Sequence, residues 1–167
     1  MIRPETPADI PVVFEVNRRA FGQEAEAVLV NALRNGGYAE VSLVAEVAGR
    51  VVGHILFSRL AITTAAGTVG AVSLAPMAIL PDHQRRGVGS ELVRAGLEAC
   101  RAGGHRIAVV LGHPAFYPRF GFAPELAGRL ESPFGGGEAW MAVELVPGAL
   151  AGVEGRVEYP PPFRAFE

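Results

Sequence analysis

The sequence predicts one mixed α/β (α+β) domain over residues 1–167, in which an antiparallel strand meander leads into a single strand–helix–strand crossover. Three observations predict it. Apolar runs at 41–47, 51–60 and 69–80 are joined by the short turns Ala48-Gly49-Arg50 and Ala65-Ala66-Gly67, so consecutive strands return beside one another. An amphipathic run at 88–102 has helical spacing. A strongly apolar run at 106–111 follows it, and a strand that succeeds such a helix returns parallel by a right-handed crossover.

In chain order, residues 1–3 form a short strand. Asp9 reads as an N-cap, with Pro11 just inside a helix that runs towards Ala20. Residues 23–35 form a second helix, in which Val28, Leu29, Ala32 and Leu33 share the apolar face and Gly36-Gly37 ends it. The meander follows. Pro76 stands inside its third strand, where proline cannot donate a ladder hydrogen bond. That strand is either an edge strand or one that opens there by design. In the helix at 88–102, Leu92, Val93, Gly96, Leu97 and Cys100 line one face, and Glu91, Arg94, Glu98 and Arg101 the other. Cys100 is thereby a packed thiol rather than a nucleophile, and Gly103-Gly104 closes the helix. The segment Ser132-Pro-Phe-Gly-Gly-Gly137 reads as a mobile loop.

Composition excludes several functions. Half of the residues are apolar and 19% are charged, a globular balance, and the formal net charge of -2 offers no basic excess for nucleic acid. The chain contains no lysine, which removes a phosphate-loop lysine and Schiff-base chemistry. A single cysteine rules out an internal disulfide, and the four histidines at 54, 83, 105 and 113 have no metal-ligand spacing, so no metal is expected. No apolar leader opens the sequence and no run is long enough to span a bilayer, so the expectation is a cytoplasmic protein without membrane partners.

The most informative stretch is PDHQRRGVGSEL, residues 81–92. A helix N-terminus exposes unpaired N–H groups and partial positive charge. Gly87 and Gly89 let backbone approach an anion closely, and Arg85 and Arg86 add charge-assisted hydrogen bonds. The combination suits a pyrophosphate. An ATP or GTP phosphate loop fails because no lysine follows the glycine. A dinucleotide fingerprint fails because Leu92 occupies the third glycine position and no acidic residue ends the next strand. An ordinary tight turn with two solvated arginines is the competing reading.

Gln84-Arg-Arg-Gly-Val-Gly89 resembles the acetyl-CoA-binding motif Q/R-x-x-G-x-G/A of the GNAT N-acetyltransferases, and Tyr117-Pro-Arg-Phe-Gly-Phe122 resembles that family's Tyr-x-x-x-Gly-Phe segment. Residues 23–34, 111–122 and 152–163 are similar to the YhbS-like group within it. The resemblance implies a GNAT-like mixed sheet with a splayed central strand pair, into which an acyl-pantetheine arm inserts. It implies that Met77, Ala78 and Ile79 offer strand backbone to that arm, and that Arg85, Arg86, Gly87, Val88, Gly89 and Ser90 hold the diphosphate of acetyl-CoA, the cosubstrate. Pro76 would then mark the opening.

The implied reaction is direct acetyl transfer from acetyl-CoA to a primary amine on a small molecule or a protein N-terminus, by a monomer or a homodimer. Tyr117 matches the general acid that protonates the leaving thiolate; a core aromatic packed among Phe116, Phe120 and Phe122 is the alternative. Val110 departs from the family pattern, which often has asparagine there, and His113 in the following turn is a candidate contact. Glu24, Glu26 and Glu138 are candidate general bases, though each reads first as an ordinary surface carboxylate, and water is the alternative proton carrier. Phe21, Phe134 and Trp140 either shape an acceptor pocket or pack the core. A non-catalytic acyl-CoA-binding module on the same fold is the second functional class.

Overall fold

The structure is a computed structural model that describes residues Met1–Glu167. Its strands are β1 (Ile2–Pro4), β2 (Ala39–Val47), β3 (Arg50–Thr64), β4 (Gly67–Ile79), β5 (Ile107–Leu111), β6 (Leu130–Glu131), β7 (Trp140–Glu144) and β8 (Gly155–Glu158); its helices are α1 (Ile10–Phe21), α2 (Ala25–Asn35) and α3 (Val88–Ala102). The strands are hydrogen-bonded in the order β1-β2-β3-β4-β5-β7, with β8 joined to β3 and β6. All neighbours with an assigned direction are antiparallel except β4–β5 and the short β6–β8 pair. The expected mixed sheet, meander and crossover are all present. β4 has neighbours on both sides, which removes the edge-strand reading of Pro76.

The hairpin between β2 and β3 closes on Val47 opposite Arg50. Ala48 and Gly49 both take left-handed backbone, φ 51° and 78°, the twist that a two-residue hairpin turn demands. Beyond β5 the sequence reading identified no strand individually. β7 pairs with all five residues of β5, Ile107 opposite Glu144 through Leu111 opposite Trp140.

The chain forms two compact units. The first comprises Met1–Ser58 and Ala75–Ala99. Here α3 lies close on β3. A Cβ added to Gly53 would come within 2.9 Å of Ile79 and 3.1 Å of Leu92, and one added to Gly96 would come within 2.3 Å of the Phe57 ring. Leu92, Val93 and Leu97 are buried on this face, while Glu91, Arg94 and Glu98 are exposed, as the spacing predicts.

Two local expectations are corrected in this unit. Val28 is 55% exposed, and the buried residues of α2 are Ala27, Leu29, Val30 and Leu33. Those positions also recur every three to four residues, and both stripes are apolar, so periodicity alone could not choose between them. Asp9 precedes α1 but does not cap it. Its carboxylate instead accepts from the Thr6 backbone N–H at 2.7 Å and receives both terminal nitrogens of Arg3, at 2.7 and 3.0 Å. Arg3, joined by the Thr6 N–H, holds the Asp9 carboxyl well below the usual carboxylate range.

A polar chain runs through the same unit. Asn17, on α1, donates from Nδ2 to the Val13 carbonyl at 3.0 Å and lies 3.2 Å from Nδ1 of His54. Nε2 of His54 is 2.9 Å from the Ser42 hydroxyl and 4.0 Å from Glu5, which pairs in turn with Arg34 on α2. His54 is fully buried; burial, with Arg34 adding, pushes its pKa down to about 3. The ring is therefore neutral, with Nδ1 accepting and Nε2–H donating.

The second unit comprises Arg59–Leu74 and Cys100–Glu167. Its core gathers Leu60, Ile62, Ile107, Val109, Leu130, Trp140, Ala142 and Val157. Trp140 donates its indole N–H to the Leu130 carbonyl at 2.9 Å, and Cys100 is buried, as expected of a packed thiol. The parallel ladder between β4 and β5 has two register pairs, Val72–Ala108 and Ser73–Val109, and carries none beyond them although both strands continue.

His54 makes folding depend on pH. Its folded pKa lies below the unfolded value of about 6.5, so the unfolded chain takes up a proton that the fold refuses. Stability is full above that value and falls as the pH drops towards 3, at up to about 1.4 kcal/mol per pH unit. Urea denaturation at pH 7.5 and pH 5 should show a loss of about 2 kcal/mol, and a folded His54→Gln variant should lose most of that slope. A wild-type protein equally stable at both pH values would mean that His54 titrates freely.

Candidate functional site

In the first unit, β4 ends on Met77, Ala78 and Ile79, of which Ala78 is buried and the other two are half-buried. The chain stays attached to β3, since the Leu80 N–H donates to the Val52 carbonyl at 2.8 Å. A 3-10 turn over Pro81–His83 follows, and the Gln84 side chain donates to the Ile79 carbonyl at 3.0 Å, pinning the approach to the glycine turn. Arg85 then takes φ 63° and Gly87 φ 86°. Left-handed backbone is uncommon for an arginine and marks the turn as an unusual one.

This turn has the shape of an anion cradle. A Cβ added at Gly87 would meet no atom within 4 Å, so the space beside the backbone is open. Both guanidinium-bearing residues, Arg85 and Arg86, are exposed. α3 begins at Val88 and runs 15 residues, and its first hydrogen bond of the turn is Glu91 N–H to the Gly87 carbonyl at 3.1 Å. The N–H groups of Val88, Gly89 and Ser90 have no carbonyl one helical turn before them and are left to an outside acceptor. Open space, fixed donors and two cations fit a diphosphate.

In the second unit, β5 ends at Leu111, which is 41% exposed, and the chain turns through Gly112, His113 and Pro114. The Phe116 and Tyr117 N–H groups both donate to the His113 carbonyl, starting the 3-10 turn Tyr117–Phe120. This folds the Tyr117 ring back onto Gly112, where an added Cβ would lie 2.4 Å from it. Phe116 and Phe122 meet the ring edge-on, at centroid distances of 5.0 and 5.7 Å. Tyr117 is 7% exposed, and burial pushes its phenol up to about 12. A phenol so shifted is fully protonated at neutral pH and available as a donor.

The other predicted positions are less committed. Val110 is buried and His113 is exposed. Glu24 is exposed at the start of α2, Glu26 accepts from the Gln23 side chain at 3.0 Å, and Glu138 is exposed in the 3-10 turn Gly137–Ala139. Phe21 is exposed, Phe134 half-buried, and Trp140 belongs to the core. No group of three or more His, Cys, Asp or Glu lies together as a metal-binding set, and no helix is long and apolar enough to cross a membrane.

One residue escaped the sequence reading. The Tyr159 hydroxyl hydrogen-bonds to Ser132 and to Ser73, the last β4 residue paired with β5. Nothing local marks Tyr159; its partners lie 27 and 86 positions away, and only the fold brings them together.

Comparison with known proteins adds four findings. Residues 1–124 match the family model described as an acetyltransferase (GNAT) domain. The chain is 36% identical, over 99% of both chains, to the uncharacterized N-acetyltransferase YhbS of Escherichia coli K12. It is similar to the crystal structure of Escherichia coli YhbS in complex with CoA, at 35% identity and a TM-score of 0.92, covering all of this chain and 93% of that one. It is also similar to a GNAT family acetyltransferase from Brucella melitensis in complex with acetyl-CoA, at 32% identity and a TM-score of 0.82, covering 98% of this chain and 97% of that one.

The seat of Tyr117 can be tested by filling it. A Gly112→Ala substitution should force the ring off its present position and cost about 1–3 kcal/mol by urea denaturation, the usual penalty for overpacking. No measurable loss would show that the ring does not rest on this backbone.

Proposed function

The chain belongs to the GNAT acetyltransferase family and takes acetyl-CoA as its cosubstrate, and from that premise we propose that it acetylates a primary amine by direct transfer, with residues 85–90 holding the diphosphate and Tyr117 as general acid. The observation that carries this reading is the glycine turn. Its open face at Gly87, the N–H groups that open α3 and the exposed Arg85 and Arg86 form a receptor for two adjoining phosphates. The backbone of Met77, Ala78 and Ile79 is the proposed support for the pantetheine arm.

Bound acetyl-CoA supplies an acetyl thioester, which a neutral amine nitrogen attacks at the carbonyl carbon. The residues then have separate tasks. Arg85 and Arg86 neutralise phosphate charge, and the α3 N–H groups fix its orientation. Tyr117 gives its phenolic proton to the sulfur as the C–S bond breaks, and its phenol, protonated at neutral pH, holds the proton that this step requires. The proton shed by the attacking nitrogen leaves to solvent or to a carboxylate, and Tyr117 recovers its own from water. The lone, buried cysteine fits a reducing, cytoplasmic setting.

The grip on the diphosphate predicts that Arg86→Ala weakens CoA binding by about 1–3 kcal/mol, the range of a charge-assisted hydrogen bond. Gly87→Val should weaken it further, because a β-branched residue is strained at φ 86° and fills the open face. Calorimetric titration of both folded variants measures this; wild-type affinity in both would remove the diphosphate from this turn.

The acid role predicts that Tyr117→Phe slows the single-turnover rate by about 10²–10⁴-fold while acetyl-CoA affinity is retained. Single turnover is the appropriate readout because slow product release can hide a chemical step. An unaltered rate across several pH values would return Tyr117 to a packing role.

A further inference from the structure

A cleft of about 660 Å³ opens on the second unit, and none of its residues is among those proposed for the reaction. Its volume lies in the range of small-molecule sites, about 300–1,000 Å³. The far end of β3, β8 and β6 build it. From these strands Ile62, Val157 and Leu130 enter the core and are buried. Alternation along a strand sends their neighbours to the opposite face. There Thr63, Arg156 and Glu131 stand side by side, Thr63 paired with Arg156 between β3 and β8, and Glu131 with Arg156 between β6 and β8. Arg129, Glu154 and Glu158 complete the polar lining, and all six residues are exposed.

The floor of the cleft is held in place. A Cβ added to Gly155 would stand 2.0 Å from the Thr63 carbonyl oxygen, so β8 lies hard against β3. The Gly155 N–H donates to the Arg129 carbonyl at 3.1 Å and ties in the chain that enters β6. Charge alternates in sign over this floor. Arg129 precedes Glu131 by two residues, Arg156 stands between Glu154 and Glu158, and Glu131 faces Arg156 across the ladder. Arg156 Nε and Glu131 Oε2 are 4.0 Å apart, with the two side chains 68% and 74% exposed. That separation is beyond a hydrogen bond, so both groups keep their bonding capacity for a third molecule. Two guanidinium groups among three carboxylates disfavour a simple anion. They match a molecule with a carboxylate, an adjoining ammonium and a second cation farther off.

We infer that this cleft binds a free α-amino acid with a basic side chain, at a site separate from the reaction. The α-carboxylate takes the planar fork of Arg156, and the Thr63 hydroxyl donates beside it. The α-ammonium, one carbon away, meets Glu131, the ladder neighbour of Arg156. The side-chain cation reaches Glu158, two residues along β8 on the same face. The cleft adjoins the turn from β3 into β4, which begins at Gly67, whereas β4 makes its last pair with β5 at Ser73. Six residues of strand, about 20 Å, separate the two places.

The probe is L-arginine, titrated calorimetrically into the full chain without acetyl-CoA. It should bind at a single site per chain. L-norleucine keeps the zwitterion and lacks the side-chain charge, and it should bind about tenfold more weakly. Agmatine lacks the carboxylate and should give no saturable heat. Arg156→Gln and Glu131→Gln should each weaken L-arginine binding by about tenfold or more, the effect of losing one hydrogen bond to a charged group. CoA affinity and the urea midpoint should stay at their wild-type values in both variants. Absence of L-arginine binding overturns the proposal. So does binding that survives both substitutions, which puts the amino acid elsewhere on the chain, and so does equal affinity for L-norleucine. Sedimentation supplies the last arm: a wild-type dimer that Arg156→Gln dissolves, with no L-arginine binding, assigns the charged face to a second copy of the chain and overturns the proposal too.

Discussion

Everything proposed for the glycine turn depends on how closely α3 can approach β3. Two absent side chains set that distance. Gly53 on the strand leaves room for Ile79 and Leu92, and Gly96 on the helix leaves room for the ring of Phe57. A glycine inside a helix costs about 1 kcal/mol against alanine. That cost is offset by seating a fully buried phenylalanine against the helix backbone. With the middle of α3 pinned in this way, its first turn has little freedom. Gln84, bonded to the Ile79 carbonyl, fixes the chain that enters it. A cradle made of backbone N–H groups works only if the backbone is held, and here it is held by packing several residues away.

The second unit handles its two buried phenols differently. Burial drives both Tyr117 and Tyr159 up to about 12. For Tyr159, hydrogen bonds from Ser132 and Ser73 act against that rise, and the hydroxyl becomes a structural tie. For Tyr117, burial is the whole cause, and the ring is held by Gly112, Phe116 and Phe122 rather than through its oxygen. A tyrosine positioned by its ring keeps its hydroxyl for other work. One positioned by its hydroxyl has already spent it.

Which parts were legible in the sequence follows from where their information is stored. The face of α3 was legible because charged and apolar residues alternate cleanly along it. The β2–β3 hairpin was legible because its turn residues are local. The glycine turn was legible as a chemical possibility, although the left-handed arginine at 85 was not, since no residue type announces that conformation. The buried face of α2 was misread because Val28 belongs to a second apolar stripe that the fold leaves in solvent. Asp9 was misread because Arg3 and Thr6 compete for a carboxylate that would otherwise cap α1. β6 and β8 span only two and four residues, too few for a period to emerge, and β8 owes its existence to β3, about a hundred residues earlier. The partners of Tyr159 are equally distant and equally silent.

The ion pairs of the first unit, Arg3 with Asp9 and Glu46 and Arg34 with Glu5, use guanidinium groups throughout. A lysine in either place would carry an amine that a thioester donor can acylate, erasing its charge whenever it lost a proton. A guanidinium stays protonated and is a poor nucleophile. Because no side chain in the chain is an amine, the molecule can work in a concentrated pool of its own reagent without its charge pattern ageing. The Met1 α-amino group is the one amine the chain offers to the bond it handles.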